Sequence, residues 1–104
     1  MITQLKKGVL ELCVLAALRD EERYGYELIT VISERIEVTA GTIYPLLKRI
    51  RTDGLVAVRT VDSPDGPSRK YYRLTDRGRD ELAAATAEWT NFYPRVNAMI
   101  GVNP

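Results

Sequence analysis

"TIYPLLKRIRTDGLVAVRTVDSPDGPSRKYYRLT", residues 42–75, places a helical pattern directly before two strand patterns, and this order decides the fold. At about 100° per residue, four apolar side chains of the first part share one side of a helix. These are Ile43, Leu46, Leu47 and Ile50. Thr39 is well placed as the N-cap of this helix, and Gly54 as its C-terminal stop. The first part therefore predicts a short helix with one buried stripe.

The second part of the stretch predicts a β-hairpin. Residues 55–62 and 69–75 are β-branched and aromatic runs with alternating polar positions. Between them, residues 63–68 (SPDGPS) form a dense turn signal. A helix followed by a hairpin with a protruding tip is the second half of a winged helix-turn-helix.

The flanking segments complete that fold. Residues 5–18 are apolar on nearly all sides, which predicts a helix buried on two sides, the second by a partner subunit. Residues 24–36 carry a single apolar face, and residues 76–93 read as a long helix before Pro94, which either kinks or ends it. The predicted fold is mainly α with a two-stranded β-wing. Residues 1–75 form the winged helix-turn-helix and residues 76–104 a C-terminal dimerisation helix, together one structural unit.

The amino-acid composition excludes several classes of protein. A chain of 104 residues forms one domain, and its 45% hydrophobic and 28% charged content is that of a globular protein. No run approaches the roughly 20 apolar residues of a membrane span and no signal peptide is evident, so we expect a cytoplasmic protein without a membrane partner. Histidine is absent, and no familiar catalytic or metal motif occurs, so we expect no enzyme, no cofactor and no metal. Cys13 is predicted as a buried thiol, and the cluster Asp20, Glu21 and Glu22 as a solvated loop.

The formal net charge of +1 conceals a basic segment. Residues 42–79 hold nine Lys and Arg against four Asp and Glu, a local excess of five, whereas the segments on either side are acidic. A polyanion responds to the local field, so this segment is compatible with nucleic-acid binding.

The predicted DNA contacts lie on the third helix opposite its apolar stripe and on the second wing strand. They are Thr39, Gly41, Thr42, Tyr44, Pro45, Lys48, Arg49, Ser68, Arg69 and Lys70. Alone, a charged helix face is usually a solvated surface, and an exposed hairpin needs no ligand. Two basic elements in the order of a winged helix together favour double-stranded DNA as the partner. The alternative is a winged-helix module that binds another protein.

Three segments give a resemblance that covers most of the chain: KGVLELCVLAALRDEERYGYELI (7–29), GTIYPLLKRIRTDGLV (41–56) and RKYYRLTDRGRDEL (69–82). They resemble the PadR family of bacterial transcriptional regulators, and the short C-terminal helix is similar to the family's smaller members. The resemblance implies a homodimeric repressor that binds inverted-repeat operator DNA and releases it when a small molecule is sensed.

Trp89, Phe92 and Tyr93 on the last helix allow two interpretations. They pack in a dimer seam, or they line a cleft in which a small aromatic ligand stacks, as the resemblance to drug-sensing members implies. The predicted dimer contacts are Leu5, Val9, Leu12, Leu82, Ala85, Trp89, Phe92 and Val96.

Overall fold

The computed structural model describes the backbone of residues 2–102 and the side chains of residues 8–102. Four helices and three strands follow one another along the chain. They are α1 (Ile2–Ala17), β1 (Arg23–Tyr24), α2 (Gly25–Ser33), α3 (Ala40–Thr52), β2 (Val56–Ser63), β3 (Gly66–Leu74) and α4 (Asp76–Ile100). The mainly helical winged fold predicted from the sequence is confirmed.

The core lies where α1, α2 and α3 meet the inner face of the sheet. Its fully buried side chains come from the predicted apolar stripes: Val14, Leu15, Leu18, Leu28, Ile43, Leu47 and Ile50. Helix α2 begins at Gly25, and the Tyr24 N–H before it donates to the Glu27 carboxylate at 3.1 Å. That bond satisfies a backbone donor that the helix itself leaves unpaired. In α3, burial of the Ile and Leu stripe leaves the residues on the other side of the helix exposed.

The sheet has the order β1-β3-β2 and is antiparallel throughout. Ser63 pairs with Gly66, so the tip is a two-residue turn and Pro67 and Ser68 already belong to β3. The hairpin is therefore longer, and its tip narrower, than the six-residue turn signal predicts. A third strand also adds to the predicted two-stranded wing, because β1 pairs with β3. Two residues are too few to show strand alternation in a sequence.

Helix α4 starts in a tightly closed corner. The Thr75 side chain accepts from the Gly78 N–H at 3.0 Å and donates to the Gly54 carbonyl at 2.6 Å. Gly54 has φ 78°, a left-handed value that favours glycine, which confirms it as the stop after α3. Gly78 is buried, and a Cβ there would lie 1.9 Å from the Leu55 carbonyl oxygen. Close approach at Gly78 fixes the direction in which α4 leaves the domain.

Helix α4 continues through Pro94 to Ile100, so the proline does not end it. Only Gly78 and Leu82 of its 25 residues are buried. The remainder extends outward and gives the described chain a long axis of 54 Å. No helix in the described range is long and apolar enough to cross a membrane.

Candidate nucleic-acid interface

All ten predicted DNA-contact residues are exposed, while the apolar stripe of α3 is buried. The helix therefore presents a polar face with cations on it. Gly41 and Pro45 lie on this face, so the carbonyl that Pro45 leaves without an intrahelical donor, that of Gly41, is accessible to solvent. A proline inside the helix is thus tolerated where no core packing depends on it.

The two cations in the middle of α3 have different surroundings. The Arg49 guanidinium donates to the Glu11 carboxylate of α1 at 3.2 Å. Lys48 makes no ion pair with any side chain in the described residues. Lys48 is therefore available to an external anion, whereas the Arg49 guanidinium is already paired with Glu11.

Tyr44 packs its ring against the start of α2 while 47% of the residue stays exposed. The ring lies so close to Gly25 that a Cβ there would be 2.6 Å from Tyr44 Cε1. Tyr44 is therefore partly exposed, and its ring also joins α2 to α3. This contact adds a structural role to a residue that the sequence places only on the outward face.

Two hydroxyl groups mark the N-terminus of α3. Thr39 occupies the N-cap position, as expected, but its side chain makes no cap hydrogen bond. Instead its Oγ1 lies 3.5 Å from Thr42 Oγ1. Both hydroxyls are exposed beside backbone N–H groups of the first helical turn, an arrangement suited to a phosphate oxygen.

The two predicted cations of the wing lie on opposite faces of β3. Lys70 pairs across the ladder with Thr60 and follows Ser68 on the face that farther along carries Tyr72 and buried Leu74. Arg69 is on the opposite face, where its guanidinium stands 4.6 Å from the centroid of the Tyr24 ring. Lys70 has no ion-pair partner within the described part of the chain. Of the two, Lys70 is the one free to contact a phosphate.

The tip of the wing is acidic. Asp65 lies in the turn, and Asp62 lies one residue before the last ladder pair; both are exposed. Carboxylates repel polyanions, so the tip is less suited to a polyanion than the flank that carries Ser68 and Lys70.

Two further residues of α2 and α3 are exposed, and the helical period already places one of them, Arg51, on the outward side of α3. Tyr26, in the first turn of α2, is 66% exposed, and no periodic pattern singles it out. Arg51 lies near the Tyr72 hydroxyl: burial raises the pKa of Tyr72, and the Arg51 charge opposes that rise. Arg51 is exposed on the last turn of α3 and adds a cation to the side of the wing.

A second surface joins α1 to the outer part of α4. An open groove of about 540 Å³ is lined by nine residues: Gly8, Val9, Leu12, Ala85, Glu88, Trp89, Asn91, Phe92 and Arg95. Five of the predicted dimer contacts meet there. Of the others, Val96 is exposed nearby, Leu82 is buried in the chain's own core with little surface left for a partner, and the Leu5 side chain lies outside the described residues. Trp89 stacks on Tyr93 with ring centroids 5.6 Å apart.

Cys13 is only partly buried, and burial raises the pKa of its thiol. In the acidic loop, Glu21 pairs with Arg23 of β1 at 3.0 Å, and Glu22 pairs with Arg59 of β2. The loop predicted to be solvated is thus tied to the sheet by two carboxylates. No group of three potential metal ligands occurs in the part of the chain described by the structure.

A helix-turn-helix with a cationic outward helix, followed by a β-wing, defines a winged helix-turn-helix protein. The family model for the PadR-like transcriptional regulators matches residues 14–84. The chain therefore belongs to the PadR-like family of transcriptional regulators, and its activity is regulatory, not enzymatic.

Solved and curated relatives agree with this assignment. A PadR family transcriptional regulator from Eggerthella lenta superposes with a TM-score of 0.86 at 34% identity, over 99% of this chain and 91% of that one. A transcriptional regulator of Mycobacterium tuberculosis is 34% identical over 76% of this chain and 74% of its own. The negative transcriptional regulator PadR of Bacillus subtilis is 32% identical over 71% of this chain, which spans 43% of the longer protein. The structure of that protein in complex with operator DNA superposes with a TM-score of 0.71 at 30% identity, over 75% of this chain and 45% of that one.

Proposed function

We propose that this protein is a sequence-specific DNA-binding transcriptional regulator that places α3 in a major groove and the flank of the wing on the adjacent backbone. The observation that carries the proposal is the division of α3: it buries its whole Ile and Leu stripe and leaves Lys48 exposed, with no ion-pair partner among the described residues. Lys70 of β3 adds an exposed cation on the wing. The bidentate and apolar contacts that discriminate bases are made from such a helix face.

The B. subtilis relative, known as a negative regulator and solved with operator DNA, supports the direction of control. We infer that this chain represses transcription, binds an inverted repeat as a homodimer, and acts in the cytoplasm, where bacterial promoters lie. The proposed division is the DNA-binding unit over residues 1–75 and the dimerisation helix over residues 76–104. A winged module that binds protein is the weaker alternative, because the outward face of α3 carries one large exposed apolar residue, Tyr44.

Footprinting tests DNA binding directly. The probe is the duplex immediately upstream of the protein's own gene, treated with hydroxyl radicals in the presence of purified protein. The expected result is protection of two half-sites about one helical turn apart, because a two-fold dimer presents two α3 helices. Lys48→Ala and Lys70→Ala should weaken protection, while Arg19→Ala, an exposed cation beside α4, serves as the control. Protection that is unchanged in both lysine variants would reject this placement.

Dimerisation rests on the outer part of α4. Six large apolar residues there are exposed: Trp89, Phe92, Tyr93, Val96, Met99 and Ile100. A monomer rarely exposes so continuous an apolar surface, and a second copy of the chain covers it by packing α4 against α1 and α4. Sedimentation velocity at micromolar concentration should show a dimer. Phe92→Asp should shift it toward monomer, and Thr90→Asp, on α4 but outside the groove, should not. A folded wild-type monomer would contradict the proposal.

The groove beside Trp89 is also the proposed site of a small aromatic ligand. Its volume, about 540 Å³, lies within the range of drug-sized pockets, and Trp89 and Phe92 supply aromatic rings to its lining. Trp89 is the only tryptophan, so its fluorescence reports this site alone. Saturable quenching by acridine, with weaker binding to the duplex, is expected. Linear, non-saturable quenching with unchanged DNA affinity would contradict the proposed ligand site. The groove would then serve as a dimer contact only.

A further inference from the structure

The sheet face opposite the core carries a connected row of charged and aromatic side chains, which we call the outer ladder. Its members are Glu22, Arg59, Tyr71, Tyr24 and Arg69. Arg59 Nε donates to both carboxylate oxygens of Glu22, at 3.0 and 3.1 Å, and the Arg59 guanidinium lies 5.2 Å from the Tyr71 ring centroid. The Tyr71 and Tyr24 rings meet edge to face at 5.5 Å, and Arg69 covers the Tyr24 ring.

The strand register explains why these residues share one face. Tyr71 pairs with Tyr24 on one side and with Arg59 on the other. Arg69 is two residues before Tyr71 and therefore points the same way. The ladder thus spans all three strands, and the Glu22 carboxylate joins it to the loop before β1. The lowered pKa of Glu22, caused first by the hydrogen bond from Arg59, is consistent with a formed contact.

One end of the ladder also leads to α3. Tyr24 is the N-cap residue of α2, and Gly25 beside it is the surface on which the Tyr44 ring of α3 rests. Two adjacent residues therefore contact the wing on one side and α3 on the other. Within the described residues, no hydrogen bond or ion pair joins the outer half of the wing to the helices.

The wing needs such a contact because of its length. At about 3.3 Å per residue, the eight residues of β2 extend roughly 26 Å. A rotation of about 10° at the base would displace the tip by roughly 4 to 5 Å, more than a phosphate hydrogen bond tolerates. A two-stranded hairpin is marginally stable on its own, and β1 supports only its inner end.

We propose that the outer ladder sets the angle of the wing relative to α3, so that Glu22 and Tyr24 are positioning residues for DNA binding. This rests on the proposed function. Arg69 lies over the Tyr24 ring and is part of the outer ladder. Lys70 supplies the phosphate contact. Neither Glu22 nor Tyr24 is part of the proposed DNA surface; each acts through the orientation of Lys70 and Ser68.

The sign of one substitution separates positioning from simple electrostatics. Glu22→Gln removes a negative charge, which by charge alone would strengthen binding to a polyanion. The positioning role predicts the opposite: affinity for the upstream duplex falls roughly threefold or more, because Arg59 loses its partner. Asp20→Asn is the matched control, since Asp20 is an exposed acid in the same loop with no ion pair in the described chain. It should bind as well as wild type or slightly better.

The experiment measures fluorescence anisotropy of the labelled upstream duplex, with circular dichroism confirming that each variant is folded. Tyr24→Phe keeps the ring under Arg69 and should retain affinity, whereas Tyr24→Leu should lose it. The charge exchange Glu22→Arg with Arg59→Glu should bind better than either single variant. If wild type binds and Lys48→Ala weakens binding, yet Glu22→Gln binds as tightly as wild type, the positioning role alone is overturned. If wild type does not bind, the proposed function fails and the ladder's role fails with it.

Discussion

Gly78→Ala tests the packing that directs α4. A Cβ at this position would lie 1.9 Å from the Leu55 carbonyl oxygen and 3.3 Å from Leu74 Cδ2. A carbon and an oxygen that are not bonded need roughly 3 Å or more, so the helix and the segment before β2 must separate by about 1 Å. The same carbonyl accepts the Thr75 N–H at 3.1 Å, and this bond would be strained by the movement.

Three effects determine how much Gly78→Ala changes the free energy of unfolding. Overpacking against backbone costs about 3 kcal/mol, the upper end of the usual range, because a backbone oxygen cannot rotate away. Loss of the Thr75 hydrogen bond costs about 1 kcal/mol. The better helix propensity of alanine returns about 1 kcal/mol. The net expectation is a free energy of unfolding lowered by about 3 kcal/mol.

Urea unfolding followed by circular dichroism, at one fixed protein concentration, measures this difference. Gly41→Ala in α3 is the matched control, because the nearest atom to its Cβ is Thr39 Oγ1 at 3.7 Å. That variant should be as stable as wild type or up to about 1 kcal/mol more stable. Equal stability of Gly78→Ala and wild type would show that α4 does not depend on the close approach at Gly78.

Three further outcomes are expected. Gly25→Ala should displace the Tyr44 ring and weaken duplex binding in an anisotropy titration, while the free energy of unfolding stays within about 1 kcal/mol of wild type; unchanged affinity would contradict the Tyr44 contact. Arg59→Gln should raise the pKa of Glu22, measured by NMR titration of its carboxyl carbon. The pKa of Glu22 is lowered in the folded protein, so its contact with Arg59 stabilises the fold at pH values above the unfolded-state pKa of this carboxyl. That stabilisation is lost as the pH falls through the folded-state pKa. Cys13 should react with iodoacetamide more slowly than a free thiol, with a rate still rising above the ordinary thiol pKa, since burial raises its pKa; a rate equal to that of a free thiol would refute this.

Local patterns in the sequence predicted the helices and the hairpin correctly because each is specified by its own residues. The α3 stripe repeats with the helical period, and Gly54 takes the left-handed φ that a helix stop requires. The exposure of Lys48 follows from that stripe alone, since a residue opposite a buried face must face outward.

Contacts between distant segments could not be predicted in this way. Arg49 pairs with Glu11 across 38 positions, and Arg59 pairs with Glu22 across 37, so nothing in either neighbourhood indicates the partner. The two-residue strand β1 is recognisable only once β3 lies beside it. The separation of Arg69 from Lys70 likewise depends on pairing register, which a turn signal does not fix when the turn residues extend into a strand.

The course of α4 at Pro94 could not be predicted from the sequence for a different reason. Its ring removes one backbone hydrogen bond, but a helix survives such a loss where the freed carbonyl remains in contact with solvent. Residues around it are exposed, so α4 continues to Ile100. From sequence alone, the alternatives of a kinked and an ended helix could not be separated, because the deciding factor is whether the carbonyl four residues before the proline is exposed to solvent.

The most direct test of the account is the salt dependence of duplex binding by wild type and Lys48→Ala. If Lys48 neutralises one phosphate, the slope of log affinity against log salt becomes shallower by about 0.9 in the variant. Arg19→Ala should keep the wild-type slope. A Lys48→Ala slope equal to that of wild type would contradict the claim that the outward face of α3 binds DNA.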